Sequence, residues 1–273
     1  MKSFKKHIWP GCTALVTGAS SGMGLEYARH LAASGCRVVM VSNQQTELEQ
    51  CAEELRKAYS AEIWSIYCDL ARYEAADELF DICQQKGLEI DILINNAGIF
   101  FFKELKGEVC ELGDKMLFLH VITPTRLCER FGEGMMARGR GYMLNVSSVT
   151  AGMSAPGLTL YAATKSYLRS FSKSLYYEMK PYGVGVTVVC PGAVSTGLYA
   201  VLPALVKILS VADKFGLVYS PEKLVRKALT AMFRRRRCIV PGWFNQLYAP
   251  AVNVLPKRTV SRVWRKVNGE TEK

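Results

Sequence analysis

The sequence predicts a doubly wound α/β fold, in which helices cover both faces of a parallel sheet. Short apolar runs rich in Val, Ile and Leu alternate with longer segments of helical period, such as residues 25–34 and 46–59. The apolar runs are nearly continuous, which is typical of parallel strands buried on both faces. Six strands are expected, at residues 13–17, 37–41, 63–68, 90–95, 141–147 and 185–190.

The length and composition favour one globular domain. Of the 273 residues, 49% are hydrophobic and 22% are charged, so a disordered or fibrous chain is excluded. The composition shifts only near Pro221, so we expect residues 1–221 to form the main body and residues 222–273 a basic C-terminal extension of the same domain. The nine cysteines are an odd number without a Cys-x-x-Cys pair, which indicates a reducing compartment and no zinc site.

Most of the net charge of +11 lies in the C-terminal extension. Residues 222–273 hold thirteen Lys and Arg against three Glu, together with Trp243, Phe244, Tyr248 and Trp264. Cations beside aromatic rings favour contact with an anionic membrane surface, and a solvated basic face is the alternative. A nucleic-acid partner is not expected, because such a protein spreads its charge over a docking face.

The sequence gives no signal for insertion into a membrane. No apolar run approaches the roughly 18 residues that a spanning helix needs. Near the start of the chain, Pro10 and Gly11 interrupt the apolar stretch that follows three lysines, which argues against a signal peptide. We therefore expect a cytoplasmic protein, peripheral at the membrane if the extension binds lipid.

A glycine-rich turn, residues 17–24, follows the first predicted strand and opens the first helix. In that position glycines let the backbone approach a pyrophosphate, which the N–H groups and the dipole of the helix N-terminus would bind. An ordinary βα turn is the alternative. The residues expected to contact a dinucleotide here are Gly18, Ser20, Ser21, Gly22, Met23 and Gly24.

Polar residues follow the third and fourth predicted strands. Asp69, followed by Leu70, is placed to accept a hydrogen bond from an adenine amino group, although an aspartate that caps the next helix is the alternative. Asn96, Ala97 and Gly98 follow the fourth strand, where ligands gather at the carboxyl ends of an open α/β sheet. A structural turn is the alternative for these three residues.

The second predicted strand is followed by Ser42 and Asn43, and no charged side chain stands there. An acid in this position would accept from a ribose 2′-hydroxyl, and a base would pair with a 2′-phosphate. Without an acid in this position the 2′-phosphate of NADP is not repelled, and small polar groups can donate hydrogen bonds to its oxygens. NADP(H) is therefore favoured over NAD(H).

Tyr161 and Lys165 stand four residues apart, so they share one face of a helix, and Ser148 precedes the tyrosine by thirteen residues. A tyrosine with a pKa near 10 is a weak acid-base group at neutral pH, but a neighbouring ammonium favours its ionised form. The tyrosine could then transfer a proton to or from a carbonyl oxygen that Ser148 holds. A Tyr and a Lys at this spacing are also frequent on ordinary helices.

Five motifs occur in order along the chain: Thr-Gly-x-x-x-Gly-x-Gly, Asn-Asn-Ala-Gly, Asn-Val-Ser-Ser, Tyr-x-x-x-Lys and Pro-Gly. Over residues 13–196 the chain thereby resembles the short-chain dehydrogenase/reductase family. The resemblance implies a Rossmann-type nucleotide-binding and catalytic domain in which Ser148, Tyr161 and Lys165 are catalytic. It also implies that Asn96 contacts the cofactor ribose region and that Thr196 meets the nicotinamide amide. The cofactor contacts that it adds are Tyr161, Lys165, Pro191, Gly192, Val194 and Thr196.

One position departs from the family pattern. Where the family carries an asparagine that helps to hold a water between the lysine and solvent, this chain has His120. The substitution puts the proton relay in doubt, not the hydride transfer. We keep His120 as a catalytic candidate with three roles open: it holds the water, it adds a titrating group, or it is a core histidine.

The substrate is expected to be hydrophobic. Residues 198–218 are rich in Leu, Val and Ala in the region that covers the substrate in this family, although helix packing gives the same composition. Residues 233–243, which include four consecutive arginines, and residues 256–258 resemble tails of branches that reduce 3-oxoacyl or long-chain keto lipids and steroids. We expect an NAD(P)(H)-dependent oxidoreductase that interconverts a ketone and a secondary alcohol, most simply as a reductase and as a homo-oligomer. A catalytically weak member that senses cofactor or serves as a membrane-associated scaffold is the alternative.

Overall fold

The computed structural model describes residues 4–105, 110–195, 218–242 and 245–246. In these ranges the chain forms one parallel sheet with the strand order β3-β2-β1-β4-β5-β6-β7. The predicted doubly wound α/β fold is confirmed. The strands are β1 (Thr13–Thr17), β2 (Arg37–Ser42), β3 (Ile63–Tyr67), β4 (Ile92–Asn95), β5 (Gly141–Val146), β6 (Val184–Val189) and β7 (Cys238–Ile239).

Helices connect the strands and cover the sheet. They are α1 (Gly22–Ala32), α2 (Gln45–Tyr59), α3 (Ala75–Gln85), α4 (Cys110–Leu117), α5 (Thr123–Ala137), α6 (Thr159–Met179) and α7 (Pro221–Phe233). A π-helical turn, Phe118–Ile122, joins α4 to α5, and short 3₁₀ turns lie at Lys5–His7 and Lys180–Tyr182. None of the described helices is both long enough and apolar enough to cross a bilayer.

The two faces of the sheet have separate cores. In β1, Ala14 and Val16 pack in one apolar cluster with residues of α1, α2 and α7. Leu15, between them, points to the other face and packs with residues of α3, α5 and α6. This alternation follows from the two-residue period of a strand, and burial on both faces explains why the strands have such continuous apolar sequences.

The change of composition at Pro221 marks the start of a helix that belongs to the packed fold. Ser220 caps α7 by accepting a hydrogen bond from the Lys223 N–H at 3.4 Å, and Pro221 occupies the first turn. The buried face of α7 includes Val225 and Leu229, which join the core on the α1 side of the sheet. The basic segment therefore also supplies a helix and the edge strand β7, whereas residues 247–273 lie outside the described part of the chain.

The strand order reverses direction between β1 and β4. β1 pairs with β2 on one side and with β4 on the other, so the connections that follow these two strands diverge. Such a divergence opens a crevice at the carboxyl ends of the strands, where ligands bind in open α/β sheets. The predicted functional residues follow the carboxyl ends of β1 to β6.

Candidate active site

The glycine-rich turn is built for close backbone approach. Gly18 has a φ of +66°, and a Cβ added at Gly24 would lie 1.9 Å from the carbonyl oxygen of Gly18. The Asn96 side-chain amide donates to the Thr17 carbonyl at 3.0 Å, while the Thr17 hydroxyl accepts from the backbone N–H groups of Asn96 and Ala97, each at 3.0 Å. The turn after β1 is thus fastened to the end of β4.

A cavity of about 450 Å³ lies above these strand ends. All but two of the predicted cofactor residues line it. Gly24 is not part of the lining, and Thr196 lies outside the described residues. The predicted residues that line the cavity are Gly18, Ser20, Ser21, Gly22, Met23, Ser42, Asn43, Asp69, Leu70, Asn96, Ala97, Gly98, Tyr161, Lys165, Pro191, Gly192 and Val194.

The cavity fits a nicotinamide dinucleotide. It runs from the N-terminus of α1 to the side chains of Tyr161 and Lys165. Asn96 lines the cavity, and its side-chain oxygen is buried without a hydrogen-bond partner among the described residues. A buried acceptor without a donor is costly unless a ligand or water satisfies it.

The end of β2 carries a network of neutral polar groups. The Ser20 hydroxyl lies 2.9 Å from the Ser42 hydroxyl and donates to the side-chain oxygen of Gln44 at 2.8 Å. Asn43 is exposed beside them at the cavity wall. Gln44 was not among the predicted cofactor residues, although its position next to Asn43 in the sequence was a usable signal. The residues of this network that end or follow β2, Ser42, Asn43 and Gln44, include no carboxylate that would repel a 2′-phosphate.

Asp69 forms a local turn after β3 and lines the cavity. Its carboxylate accepts a hydrogen bond from the Ala71 N–H at 3.1 Å, and the residue also lines the cavity. The alternative of a helix cap is wrong, because the residue before the next helix, α3, is Glu74, and the Asp69 turn leaves this residue beside the cavity.

Ser148 follows β5, and its hydroxyl oxygen accepts two hydrogen bonds. The donors are the backbone N–H of Thr150 at 3.1 Å and the Thr150 hydroxyl at 2.9 Å. The hydroxyl proton of Ser148 is therefore available to a ligand in the cavity. Thr150 was missed from the sequence, since nothing in its spacing distinguishes it from an ordinary loop threonine.

Lys165 is buried in the wall of the cavity. Its ammonium donates to the Val146 carbonyl at 3.0 Å and lies 5.7 Å from the centre of the Tyr161 ring. Burial lowers the pKa of Lys165 from 10.5 to about 7, while the Cys190 thiol opposes this shift. The Ser147 hydroxyl donates to the Lys165 carbonyl at 2.7 Å and so ties α6 to the end of β5.

The Tyr161 ring is held between two aromatic side chains. The ring of Phe100 meets it edge-on at 4.9 Å between centroids, and the ring of His120 does so at 5.7 Å. Phe100 belongs to residues 99–102, a run of one Ile and three Phe directly after the Asn-Asn-Ala-Gly motif, which packs with Tyr161 and Leu158. The run is visible in the sequence, but its contact with Tyr161 is not.

His120 lies in the π-helical turn with both ring nitrogens engaged. Its Nε2 accepts from the Ile99 N–H at 3.2 Å, and its Nδ1 lies 3.0 Å from the Thr164 hydroxyl. That hydroxyl donates to the Tyr161 carbonyl at 2.9 Å, so it can only accept from His120, and the histidine proton must be on Nδ1. Burial, followed by the charge of Lys165, holds the pKa of His120 well below its usual range.

Gly98 leaves room for this histidine. A Cβ at Gly98 would lie 2.7 Å from His120 Nε2 and 3.7 Å from Lys165 Nζ. A larger residue at the last position of the Asn-Asn-Ala-Gly motif would therefore collide with His120 in this chain.

A family model described as short chain dehydrogenase matches residues 12–204. The chain belongs to this family. The very-long-chain 3-oxoacyl-CoA reductase of Anas platyrhynchos is 30% identical over 267 residues, which are 94% of this chain and 80% of that protein. The protein of the same name from Homo sapiens is 33% identical over 191 residues, which are 68% of this chain and 60% of the relative. A solved short-chain dehydrogenase from Sphingobium yanoikuyae in complex with NADPH has a TM-score of 0.74 and 25% identity, and the match covers 96% of this chain and 97% of that one.

This short-chain dehydrogenase is an NAD(P)-dependent oxidoreductase that acts on the alcohol and carbonyl couple. The family that the motifs predicted is confirmed, and the curated relatives match the branches that the basic C-terminal segments resemble. The chain spans three fifths of the human relative.

Proposed function

We propose that the dehydrogenase reduces the keto group of a hydrophobic 3-oxoacyl or related keto-lipid substrate, with NADPH preferred over NADH. The convergence of Ser148, Tyr161 and Lys165 on the same cavity as the glycine-rich turn carries this proposal. The names of the curated relatives support the substrate class, and the NADPH-bound neighbour supports the cofactor.

Each member of the trio has a distinct role. When NADPH is bound, the reduced nicotinamide supplies the hydride. Ser148 donates its free hydroxyl proton in a hydrogen bond to the substrate carbonyl oxygen and orients it. Tyr161 transfers its phenolic proton to the same oxygen, and the Lys165 ammonium stabilises the phenolate that results.

His120 acts as a positioning residue in this scheme. Its lone pair on Nε2 is taken by the Ile99 N–H and its Nδ1 proton by Thr164, so neither nitrogen is free to hold a relay water. A neutral ring also adds no second positive charge beside Lys165. Of the three roles left open by the sequence, this geometry favours the core histidine that also supports the Tyr161 ring.

The apolar run of residues 99–102, of which Ile99 lines the cavity, supports a hydrophobic substrate. It packs against Tyr161 itself, so an acyl chain whose keto group reaches the phenol would extend along it. Phe102 fills the space where Gly157, with a φ of +77°, lacks a side chain. The lid expected at residues 198–218 falls almost entirely outside the described residues.

Contact with an anionic membrane, a cytoplasmic location and a homo-oligomer are further parts of the proposal. The aromatic residues expected to insert, Trp243, Phe244, Tyr248 and Trp264, lie outside the described residues. The intact trio weighs against a catalytically weak scaffold.

A panel of 3-oxoacyl-CoA thioesters of increasing chain length, assayed with NADPH and with NADH, tests the proposed function. We expect kcat/KM to rise with chain length, because each buried methylene contributes about 0.8 kcal/mol. We also expect a modest preference for NADPH, which Asn43→Asp should reverse because a carboxylate repels the 2′-phosphate. Rates independent of chain length, or turnover of small polar ketones alone, would contradict the proposed substrate class. A strict requirement for NADH would contradict the cofactor.

A further inference from the structure

A second cavity, of about 720 Å³, lies between the N-terminal segment, α7 and β7. It shares no lining residue with the active-site cavity. Five of its lining residues carry a permanent positive charge, and none of its described lining residues is acidic. The five cations are Lys6, Arg226, Lys227, Arg234 and Arg236. We call it the basic cavity.

The four consecutive arginines before β7 divide into two pairs. Arg235 donates to the Gly183 carbonyl at 2.7 Å, and its guanidinium lies 5.2 Å from the centre of the Tyr142 ring. Arg237 donates to the Tyr177 hydroxyl and lies over that ring. This pair is fastened to neighbouring elements.

The other pair, Arg234 and Arg236, lines the basic cavity. Across residues 4–105, 110–195, 218–242 and 245–246, neither guanidinium has an ion-pair or hydrogen-bond partner, and the same holds for the side chains of Lys6 and Arg226. Lys227 differs, since it donates to the Tyr219 hydroxyl at 3.0 Å. Four unpaired cations around one concave space repel one another unless an anion enters it.

The floor of the basic cavity is apolar. Phe4 and Ala231 are buried there, and Ile239 is partly buried. The His7 ring, which also lines the cavity, stacks on Phe233 with 5.0 Å between centroids and 4° between planes. A ligand can therefore place an anionic group among the cations and a carbon skeleton against this floor.

We propose that the basic cavity binds a phosphate-bearing ligand with an apolar part. Guanidinium groups pair with phosphate oxygens through two parallel hydrogen bonds, and a phosphate accepts from several donors at once. A lipid headgroup and a soluble phosphate ester share this chemistry. The site is independent of the proposed reaction, because none of these cations lines the active-site cavity.

Two double variants of equal charge test the proposal. Arg234→Gln with Arg236→Gln removes the unpaired guanidinium groups, whereas Arg235→Gln with Arg237→Gln removes the fastened pair from the same segment. Lys57→Gln with Lys180→Gln removes the same charge from exposed sites and serves if the second variant does not fold. The probes are phosphatidylcholine vesicles with and without phosphatidic acid, and inorganic pyrophosphate in solution. NADPH is kept at saturating concentration throughout, because the glycine-rich turn is itself expected to bind a pyrophosphate. Vesicle co-sedimentation and calorimetry measure their binding.

We expect the wild-type protein to bind at least one phosphate probe. Loss of Arg234 and Arg236 should weaken that binding about tenfold or more, while the control variants stay near wild type. Binding of phosphatidic acid vesicles alone identifies a lipid headgroup, and binding of pyrophosphate as well identifies a soluble ligand. If the test variant and a folded control lose probe binding equally, the binding depends only on overall positive charge and the proposal is overturned. Absence of wild-type binding to both probes would also overturn it. Ketone turnover should be unchanged in every variant.

Discussion

Replacing Lys165 by Met measures the free-energy cost of burying the ammonium group to which we assign a catalytic role. The side chain is 95% hidden from solvent, and burial lowers its pKa from 10.5 to about 7. Met has a similar length and no charge. We therefore expect the variant to lose turnover and, at neutral pH, to gain stability.

The size of this gain follows from the two pKa values. The unfolded chain holds the lysine proton up to about pH 10.5, while the folded chain releases it near pH 7, so this residue's penalty on stability is full below pH 7 and disappears as the pH rises to 10.5. At about 1.4 kcal/mol per pKa unit, the penalty is about 4 kcal/mol at pH 7 and about 1 kcal/mol at pH 10. The Val146 carbonyl loses its donor in the variant, which costs about 1–3 kcal/mol at either pH.

Equilibrium urea unfolding of both proteins at pH 7 and at pH 10 gives the result. The difference in unfolding free energy, Lys165→Met minus wild type, should fall by about 3 kcal/mol between the two pH values, whatever the constant cost at Val146. Lys57→Met is the control, because the Lys57 side chain is 75% exposed. If the difference in unfolding free energy between Lys165→Met and wild type does not change with pH, burial does not lower the pKa of Lys165.

Two further substitutions probe the site. His120→Asn should keep turnover within a few-fold and move the alkaline limb of the kcat/KM profile to higher pH. The smaller side chain admits water beside Lys165, and this water raises the pKa of Lys165. A pH profile that does not move would leave His120 with a packing role only. Gly24→Ala should destabilise the protein by about 1–3 kcal/mol and weaken NADPH binding, because the alanine methyl group would collide with the Gly18 carbonyl. A thermal melting temperature equal to that of the wild type would contradict this prediction.

The sequence predicted the first six strands because each is a short, mostly apolar run between longer segments of helical period. β7 escaped prediction because two residues, Cys238 and Ile239, have no period, and because the four arginines before it gave the segment the composition of a tail. α7 was absorbed into the same extension, although Ser220 and Pro221 form a recognisable helix start. Composition is therefore a poor guide to where the packing ends.

The cofactor side of the site was predictable, since glycines, Asn96 and Asp69 stand at the ends of recognisable strands. The support of the reacting groups was not. The donors to Ser148 both come from Thr150, and the tautomer of His120 depends on Thr164 and Ile99, which are far from it in sequence. The contacts of His120 are set by the three-dimensional fold and leave no spacing to detect. The contacts of Ser148 form a local turn that an ordinary loop threonine can also make.

The turnover of Tyr161→Phe, measured together with its affinity for NADPH, shows whether the Tyr161 phenol donates the proton to the substrate. The substitution removes the hydroxyl and keeps the ring that packs against Phe100 and His120. If Tyr161 is the proton donor, reduction of a long-chain 3-oxoacyl-CoA should fall by about 100-fold or more, with the NADPH Kd nearly unchanged. A loss of only a few-fold, or a loss explained by weaker NADPH binding, would contradict the assignment of Tyr161 as the acid.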